Sequence, residues 1–321
     1  MQPAPTLDSG SLHGSSQAGV ADAPGLTLAP ATQATPQIAA PGAKPLESMP
    51  SLAQRIVGGL RAALPGLLMT TLSLGLFIAL WYFATKYRWD FYIRFNNIPS
   101  PGEVLGNAAN LIHSEKFYNN MWVSVRRILL GFGIATGLGV AFGLLIGQYR
   151  VARGLLLPVF EVLRPIPAIA WVPMAIMLWP TNETSIVFIT FLGSFFPILL
   201  NTIHGVNSVD PVLVRAGRCL GANELGLLRQ VILPAALPHI FTGLTVGMGV
   251  AWVSLIAAEM ISGQYGIGYF TWEAYSLIQY ADIAIGMIVI GVLGLACSGG
   301  IRFLGNLLMP WLTTHANRGR T

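Results

Sequence analysis

DPVLVRAGRCLGANELGLLRQVILP, residues 210–234, interrupts a chain that is otherwise strongly apolar. The stretch carries its own helix punctuation. Asp210 has the side chain of an N-cap, and Pro211 has the fixed φ of a first helical position. Val212, Ala216 and Leu220 fall four apart on one face, and Gly221 follows where a left-handed C-terminal cap is needed. Asn223 can cap a second short helix, which should end before Pro234. Two short helices meeting at a glycine, with long apolar segments on either side, read as a loop held at one end of a membrane bundle. The same outline suits a DNA-binding helix-turn-helix, but the apolar flanks argue against that and against nucleic acid as a partner.

Composition agrees with the membrane reading. Of 321 residues, 54% are hydrophobic and 10% charged, with a mean hydropathy of +0.63. Soluble domains carry roughly 25% charged residues. The expected class is all-α, a polytopic membrane protein of about six spans. Residues 1–50, rich in Pro, Ala, Ser, Thr and Gly, have too little apolar surface to offset chain entropy and read as a disordered tail. That tail has neither the basic start nor the compact apolar run of a signal peptide.

The expected spans lie at about 64–82, 128–149, 163–179, 185–206, 237–261 and 283–304. The first ends in the aromatic pair Trp81-Tyr82, and a polar stretch with a possible surface helix follows to about 120. The second carries Gly131, Gly133, Gly137, Gly139, Gly143 and Gly147, many at the four-residue spacing that lets helix backbones approach closely in lipid. Pro165, Pro167 and Pro173 break the third. A polar re-entry, 262–282, separates the fifth from the sixth. With both termini placed in the cytoplasm, all the Lys and Arg of the first outer loop lie between Lys86 and Arg127, and the rest, Arg164 included, fall inside. That balance favours a cytoplasmic 210–234 loop. The expected domain division is a tail over 1–50, a first helix and periplasmic segment over 51–120, a core over 121–312 containing the loop 207–234, and a short cytoplasmic tail over 313–321.

The loop resembles the "EAA" motif of permease subunits of ATP-driven (ABC) importers: Glu-Ala-Ala, three residues, Gly, nine residues, Ile-x-Leu-Pro. Here Arg215-Ala216-Gly217 is followed at those intervals by Gly221 and by Val231-Ile232-Leu233-Pro234. The family's Glu is Arg215 in this chain, and its third residue is Gly217. LRPIPAIAWVPMAIMLW, 163–179, is similar to the subgroup that handles nitrate, sulfonates, taurine or bicarbonate. The resemblance covers about 65–312. It implies a type I importer permease fold in the cell inner membrane, two permease copies, two cytoplasmic ATPases carrying ATP–Mg, and a periplasmic solute-binding protein. It also implies that the loop docks on the ATPase, with Arg215, Ala216, Gly217, Leu220, Gly221, Ala222, Leu225, Leu233 and Pro234 forming the coupling element.

No enzymatic motif is present. The chain has no phosphate-cradling Gly-rich loop, so ATP is expected only on a partner chain. Cys219 and Cys297 make neither a disulfide framework nor a metal site. Small or polar residues in broken spans are the pathway candidates: Ser194, Asn201, Met248, Trp252 and Ser254, each of which also has an ordinary packing reading. Glu259 is the acid nearest the inside of a span. It reads either as a gating group or as an interfacial acid hydrogen-bonded to the 263–268 re-entry. Arg126 and Arg127 are expected to snorkel to headgroups, with attraction of an entering anion as the other reading. The third to sixth spans offer no charge near the midplane, which favours energy supplied from outside the chain over a stand-alone secondary carrier or channel.

Overall fold

The computed structural model describes residues 52–87 and 98–311, with side chains from residue 65 onward. The expected tails, 1–50 and 313–321, lie outside the described residues. The chain divides into two units, Met1–Ala63 and Leu64–Thr321. Of the first, only the backbone that opens helix α1 is described. Eleven helices, with no strand among the described residues, follow in order: α1 Leu52–Lys86, α2 Pro101–Leu111, α3 Glu115–Gln148, α4 Arg150–Leu163, α5 Val172–Leu178, α6 Asn182–Asn207, α7 Pro211–Cys219, α8 Glu224–Leu227, α9 Leu233–Ser262, α10 Ile267–Ser276 and α11 Tyr280–Leu308.

Five helical segments are long and apolar enough to cross a membrane, at Pro65–Lys86, Glu115–Gln148, Asn182–Asn207, Glu224–Ser262 and Tyr280–Leu308. The short helix expected in the polar stretch is α2. Its capping box is complete: Ser100 Oγ accepts from the Glu103 amide at 3.3 Å, and Glu103 Oε2 accepts from the Ser100 amide at 3.1 Å. Helix α3 begins at Glu115, well ahead of the span expected from Ile128.

The third span differs from expectation. Residues 163–179 do not form one crossing helix. Instead α4 and the Ala168–Leu178 arm, which begins with a single 3-10 turn, meet at 85°. Neither Pro165 nor Pro167 has an amide to donate, and the backbone leaves the helical region at Pro167, with φ −61 and ψ 140. The result is an elbow, crossed only if both arms count as one span.

Helix α6 is the centre of the bundle, packed between α3 and α9. On one side a row of small residues on α3 meets a row on α6. A Cβ at Gly131 would stand 2.8 Å from Thr190 Cβ, one at Gly139 2.9 Å from Ile198 Cγ2, one at Gly143 2.5 Å from Thr202 Cβ and one at Gly147 2.6 Å from Val206 Cβ. The pairing advances in step along both chains, so α3 and α6 run parallel. On the other side Gly243 faces Asn201 and Gly247 faces Ile198, while Gly205 of α6 faces His239, which makes α9 antiparallel to α6. Backbone-to-backbone approach of this kind supplies dispersion contacts where lipid supplies no hydrophobic drive. Three hydroxyls on α6 stay inside its own helix: Thr190, Ser194 and Thr202 each donate to the carbonyl four residues earlier, all at 2.8 Å, while Ser185 donates to the Ala175 carbonyl of α5 at 3.0 Å.

By contrast α1 is nearly bare. Leu67, Leu68, Met69 and Leu72 are all exposed, and only 6% of its apolar window is buried. It faces α11 across an apolar groove of about 640 Å³ lined by Phe77, Trp81, Ile283 and Met287.

The α3–α6 contact makes a prediction. Gly143→Ala should lower the thermal midpoint of the detergent-solubilised protein, at a cost of about 1–3 kcal/mol from overpacking. Gly137→Ala, with nothing within 4 Å of the new Cβ, should leave the midpoint unchanged or raise it. Equal midpoints for the two variants would contradict the packing described.

Candidate functional site

The 210–234 loop folds as its local chemistry dictates. Asp210 Oδ1 accepts from the Val212 amide at 2.8 Å and starts α7. At the other end Gly221 lies in the left-handed region at φ +83. Its amide reaches the Arg218 carbonyl at 3.0 Å, and the Ala222 amide reaches the Gly217 carbonyl at 3.1 Å. That pair of bonds is a Schellman cap. Asn223 Oδ1 then accepts from the Gly226 amide at 2.7 Å and opens α8.

The second helix, however, does not end before Pro234. A π turn, Leu228–Ile232, joins α8 directly to α9. The Leu233 amide bonds the Leu228 carbonyl five residues back. This widening comes just ahead of Pro234, which has no amide to lose, so the helix continues past the ring. Gly217, where the EAA pattern has Ala, is the point where α7 rests on the bundle: a Cβ there would stand 2.8 Å from Leu227 Cδ1. Leu227 itself is fully buried.

Of the expected coupling residues, Arg215, Ala216, Leu220, Gly221 and Leu225 are exposed, and Gly217, Ala222, Leu233 and Pro234 are half-buried. Leu220 is 88% exposed and Leu225 71%, an apolar surface that the rest of the described chain leaves uncovered. Arg218 and Glu224 pair across the glycine at 3.1 Å, both exposed.

A cavity of about 660 Å³ opens between the elbow, α6 and α9. From α6 it is lined by Leu192, Gly193, Phe196, Pro197, Leu200, Asn201 and His204, and from α9 by Val246, Val250, Val253 and Ser254. Pro197 deprives the Gly193 carbonyl of its usual helical donor, a vacancy tolerated in a membrane where backbone lines a cavity. The pathway candidates therefore divide. Asn201 and Ser254 line the cavity. Ser194, Met248, Trp252 and Glu259 do not: Ser194 bonds its own helix, and Met248 and Trp252 belong to the apolar core with Ile128, Ile186 and Leu255.

Arg164 also lines this cavity, although its position between two apolar runs places it, by sequence alone, with the inner-face cations. The elbow carries it beside the middle of α6 and α9 instead. The signal available in the sequence was a cation immediately before the helix-breaking Pro165 and Pro167.

At the opposite end of α6 from the 210–234 loop, three helices are clasped by charge. Arg127 of α3 donates from Nη1 to Glu259 Oε1 of α9 at 2.9 Å and from Nε to Glu183 Oε2 of α6 at 3.0 Å. It also donates to Glu183 Oε1 and to the Tyr265 carbonyl. Glu259 accepts further from Ser124 Oγ at 2.8 Å and from the Gly268 amide at 2.9 Å. The neighbouring amides of Gly266 and Ile267 are taken by Asn120 Oδ1 and Ser124 Oγ. Gly266 has φ +134, and a Cβ on it would run into the Glu259 carboxylate.

Arg127 and Glu259 are both fully buried. Arg127 therefore does not snorkel, because two carboxylates inside the bundle replace the headgroups. Arg126, exposed, reaches only the Glu183 edge at 3.4 Å. Helical period distinguishes the two arginines: Arg127 stands four residues before Gly131, on the row that meets α6. Glu259 is a member of this clasp.

Comparison with known proteins places these features. Residues 135–314 match the family described as binding-protein-dependent transport system inner membrane component. A putative ABC transporter permease protein of Methanocaldococcus jannaschii is 41% identical over 194 residues, covering 60% of this chain and 73% of its own. The nitrate import permease protein of Synechocystis sp. is 36% identical over 224 residues, covering 67% and 82%. The bicarbonate transport system permease protein of Synechococcus elongatus is 40% identical over 173 residues, covering 54% and 62%. Among solved structures, an amino acid ABC transporter crystallised with histidines aligns at a TM-score of 0.50 and 18% identity, covering 62% of this chain and 97% of its own, a likeness of fold.

The clasp makes a prediction that separates buried from exposed charge. Glu259→Gln should destabilise the purified protein by about 3–5 kcal/mol, because it strands part of a buried ion pair. Arg126→Gln removes only an exposed partner and should cost about 1 kcal/mol or less. Thermal midpoints measured side by side check this ordering.

Proposed function

This chain belongs to the family of binding-protein-dependent transport system inner membrane components, and from that premise we propose how it is used. As a permease subunit of an ABC importer it is a multi-pass inner-membrane protein and not itself an enzyme, and the family works with an ATPase and a binding protein in general. The finer reading concerns the solute, the assembly and the coupling. The solute is a small anion of the nitrate, bicarbonate or sulfonate/taurine class, carried through the cavity between the elbow, α6 and α9. Two copies of the chain join, with both termini and the 210–234 loop in the cytoplasm, and each loop seats in one ATPase subunit that holds ATP–Mg.

The observation that carries the coupling assignment is the exposed apolar face of the loop. Ala216, Leu220 and Leu225 stand in water on two helix stubs whose angle is fixed by the Gly221 cap. Ordered, highly exposed leucines at the end of a membrane bundle call for a partner. Closure of two ATPases would move the docked stubs together and switch the access of the pathway. Relatives whose names specify nitrate and bicarbonate support the anion class. The charged residue in the cavity is also the one feature that favours a stand-alone carrier. Such a carrier would transport without ATP and purify alone.

A mild-detergent pull-down of the tagged chain from its host, read by mass spectrometry, distinguishes the two. Co-purification of an ABC ATPase is expected, and recovery of the chain alone would favour the carrier. Within the complex, Gly221→Val places a β-branched residue at positive φ. It should cut ATP-driven uptake by about tenfold or more, within the usual span of coupling energies, while the amount of membrane-inserted protein stays the same. Undiminished uptake would remove the docking assignment.

A further inference from the structure

The cavity lining contains a single formally charged residue, Arg164, and no Asp or Glu. The Arg164 amide closes α4 on the Phe160 carbonyl, but its guanidinium makes no hydrogen bond or ion pair with any described residue. The arginines drawn into the bundle elsewhere are matched, Arg127 by Glu183 and Glu259 and Arg153 by the Ile146 carbonyl and Asn207, whereas exposed ones such as Arg302 are not. Ser254 is a second unmatched group. It is 2% exposed, it lines the cavity, and its hydroxyl has no partner among the described residues. The buried hydroxyls of the facing helix α6 each donate to a protein carbonyl, as Ser185, Thr190, Ser194 and Thr202 do; Thr136 of α3 also lacks a partner but lies outside the cavity lining.

Depth sharpens the contrast. The cavity uses residues 192–204 of a helix that runs 182–207, and 246–254 of one that runs 224–262. It therefore reaches from the middle of α6 toward the end that bears the 210–234 loop. Its walls are otherwise apolar, with Trp171, Phe196 and Val250 among them, and the Arg164 side chain keeps an exposed face. A cation with no protein counter-charge in such a lining marks a pathway for anions. Glu161, one turn earlier on α4, is exposed and is not part of the lining.

We propose that this cavity is a small-oxyanion site, in which Arg164 is the charge contact and the Ser254 hydroxyl a hydrogen-bond donor, with Asn201 and His204 completing the polar lining. The inference rests on the importer reading above and names the residues that make its pathway anionic. A volume of about 660 Å³ is far larger than a nitrate or bicarbonate ion, so the anion keeps much of its water. Arg164 therefore selects by sign of charge and only weakly by shape, and discrimination among oxyanions falls to another component.

The test uses the whole complex, purified with its ATPase and binding protein and placed in proteoliposomes. Labelled nitrate, bicarbonate and taurine are the probes. Arg164→Gln should reduce uptake of the transported anion by about tenfold or more, the loss of one charge-assisted contact, and Arg164→Lys should keep most of it. Wild-type uptake by Arg164→Gln would overturn the inference while leaving the importer reading intact. If wild type carries neither anion nor the zwitterionic sulfonate taurine but does carry an uncharged solute, the oxyanion reading itself fails.

A second measurement covers a poorly folded Gln variant. In a Cys219→Ser, Cys297→Ser background, Arg164→Cys is treated with aminoethyl methanethiosulfonate, which adds an ammonium group, or with its neutral methyl analogue. Rescue of uptake by the ammonium reagent alone supports the site; equal responses overturn it. The source of the anion is read on the complex that retains Arg164. A difference in uptake between wild type and Arg164→Gln that persists in vesicles of uncharged phosphatidylcholine supports a solute site; a difference that appears only with phosphatidylglycerol overturns it in favour of a lipid headgroup.

Discussion

The close approach of α6 to two neighbours at once is the constraint from which the remaining structure follows. In lipid a helix gains little by hiding leucine from its surroundings, and it gains most where backbones come near enough for dense contact. Glycines achieve this on α3 at 131, 139, 143 and 147, and on α9 at 243 and 247. The three helices form a slab in which the glycine contacts alternate with buried Ile, Phe and Leu side chains such as Ile128, Phe195, Ile198 and Leu255. Most polar groups trapped in the slab are satisfied within it: three hydroxyls of α6 turn back on their own helix, and Arg127 is met by carboxylates from both partners; the Thr136 hydroxyl has no protein partner among the described residues.

The prolines have the opposite effect. Each removes an amide that a bundle of straight helices would use, and the chain responds in three ways. At Pro165 and Pro167 it turns through an elbow. At Pro197 it leaves a carbonyl without its helical donor beside a cavity. At Pro234 it widens to a π turn and continues. The cavity lies where two of these responses coincide, which is why it has a polar lining inside an otherwise apolar slab.

Much of this was legible in the sequence where the determinants are local. Asp210, Gly221 and Asn223 fix their caps through residues within six positions of each other, and all three form as their residue types require. The small-residue spacing on α3 was also readable, but which glycines matter depends on the partner: Gly133 and Gly137 point away from every neighbour. Features assembled from distant segments were not readable. Arg127, Glu183 and Glu259 are far apart along the chain, and only the fold brings one cation between two acids. Arg164 was assigned to the inner face because hydropathy gives the length of a segment and not the direction in which it bends. The continuation through Pro234 was hidden for a related reason, since a proline rules out one hydrogen-bond register without ruling out the next.

One consequence is mechanical. From Glu224 to Ser262 the helix is unbroken over 39 residues, about 58 Å at 1.5 Å per residue. One end carries Leu225 at the bare surface of the loop, and the other carries Glu259 in the buried clasp. The π turn offsets the register. The segment thus joins the exposed loop surface to the buried Arg127–Glu259 pair in one continuous helix, and its π turn and Pro238 are the two places where it could bend.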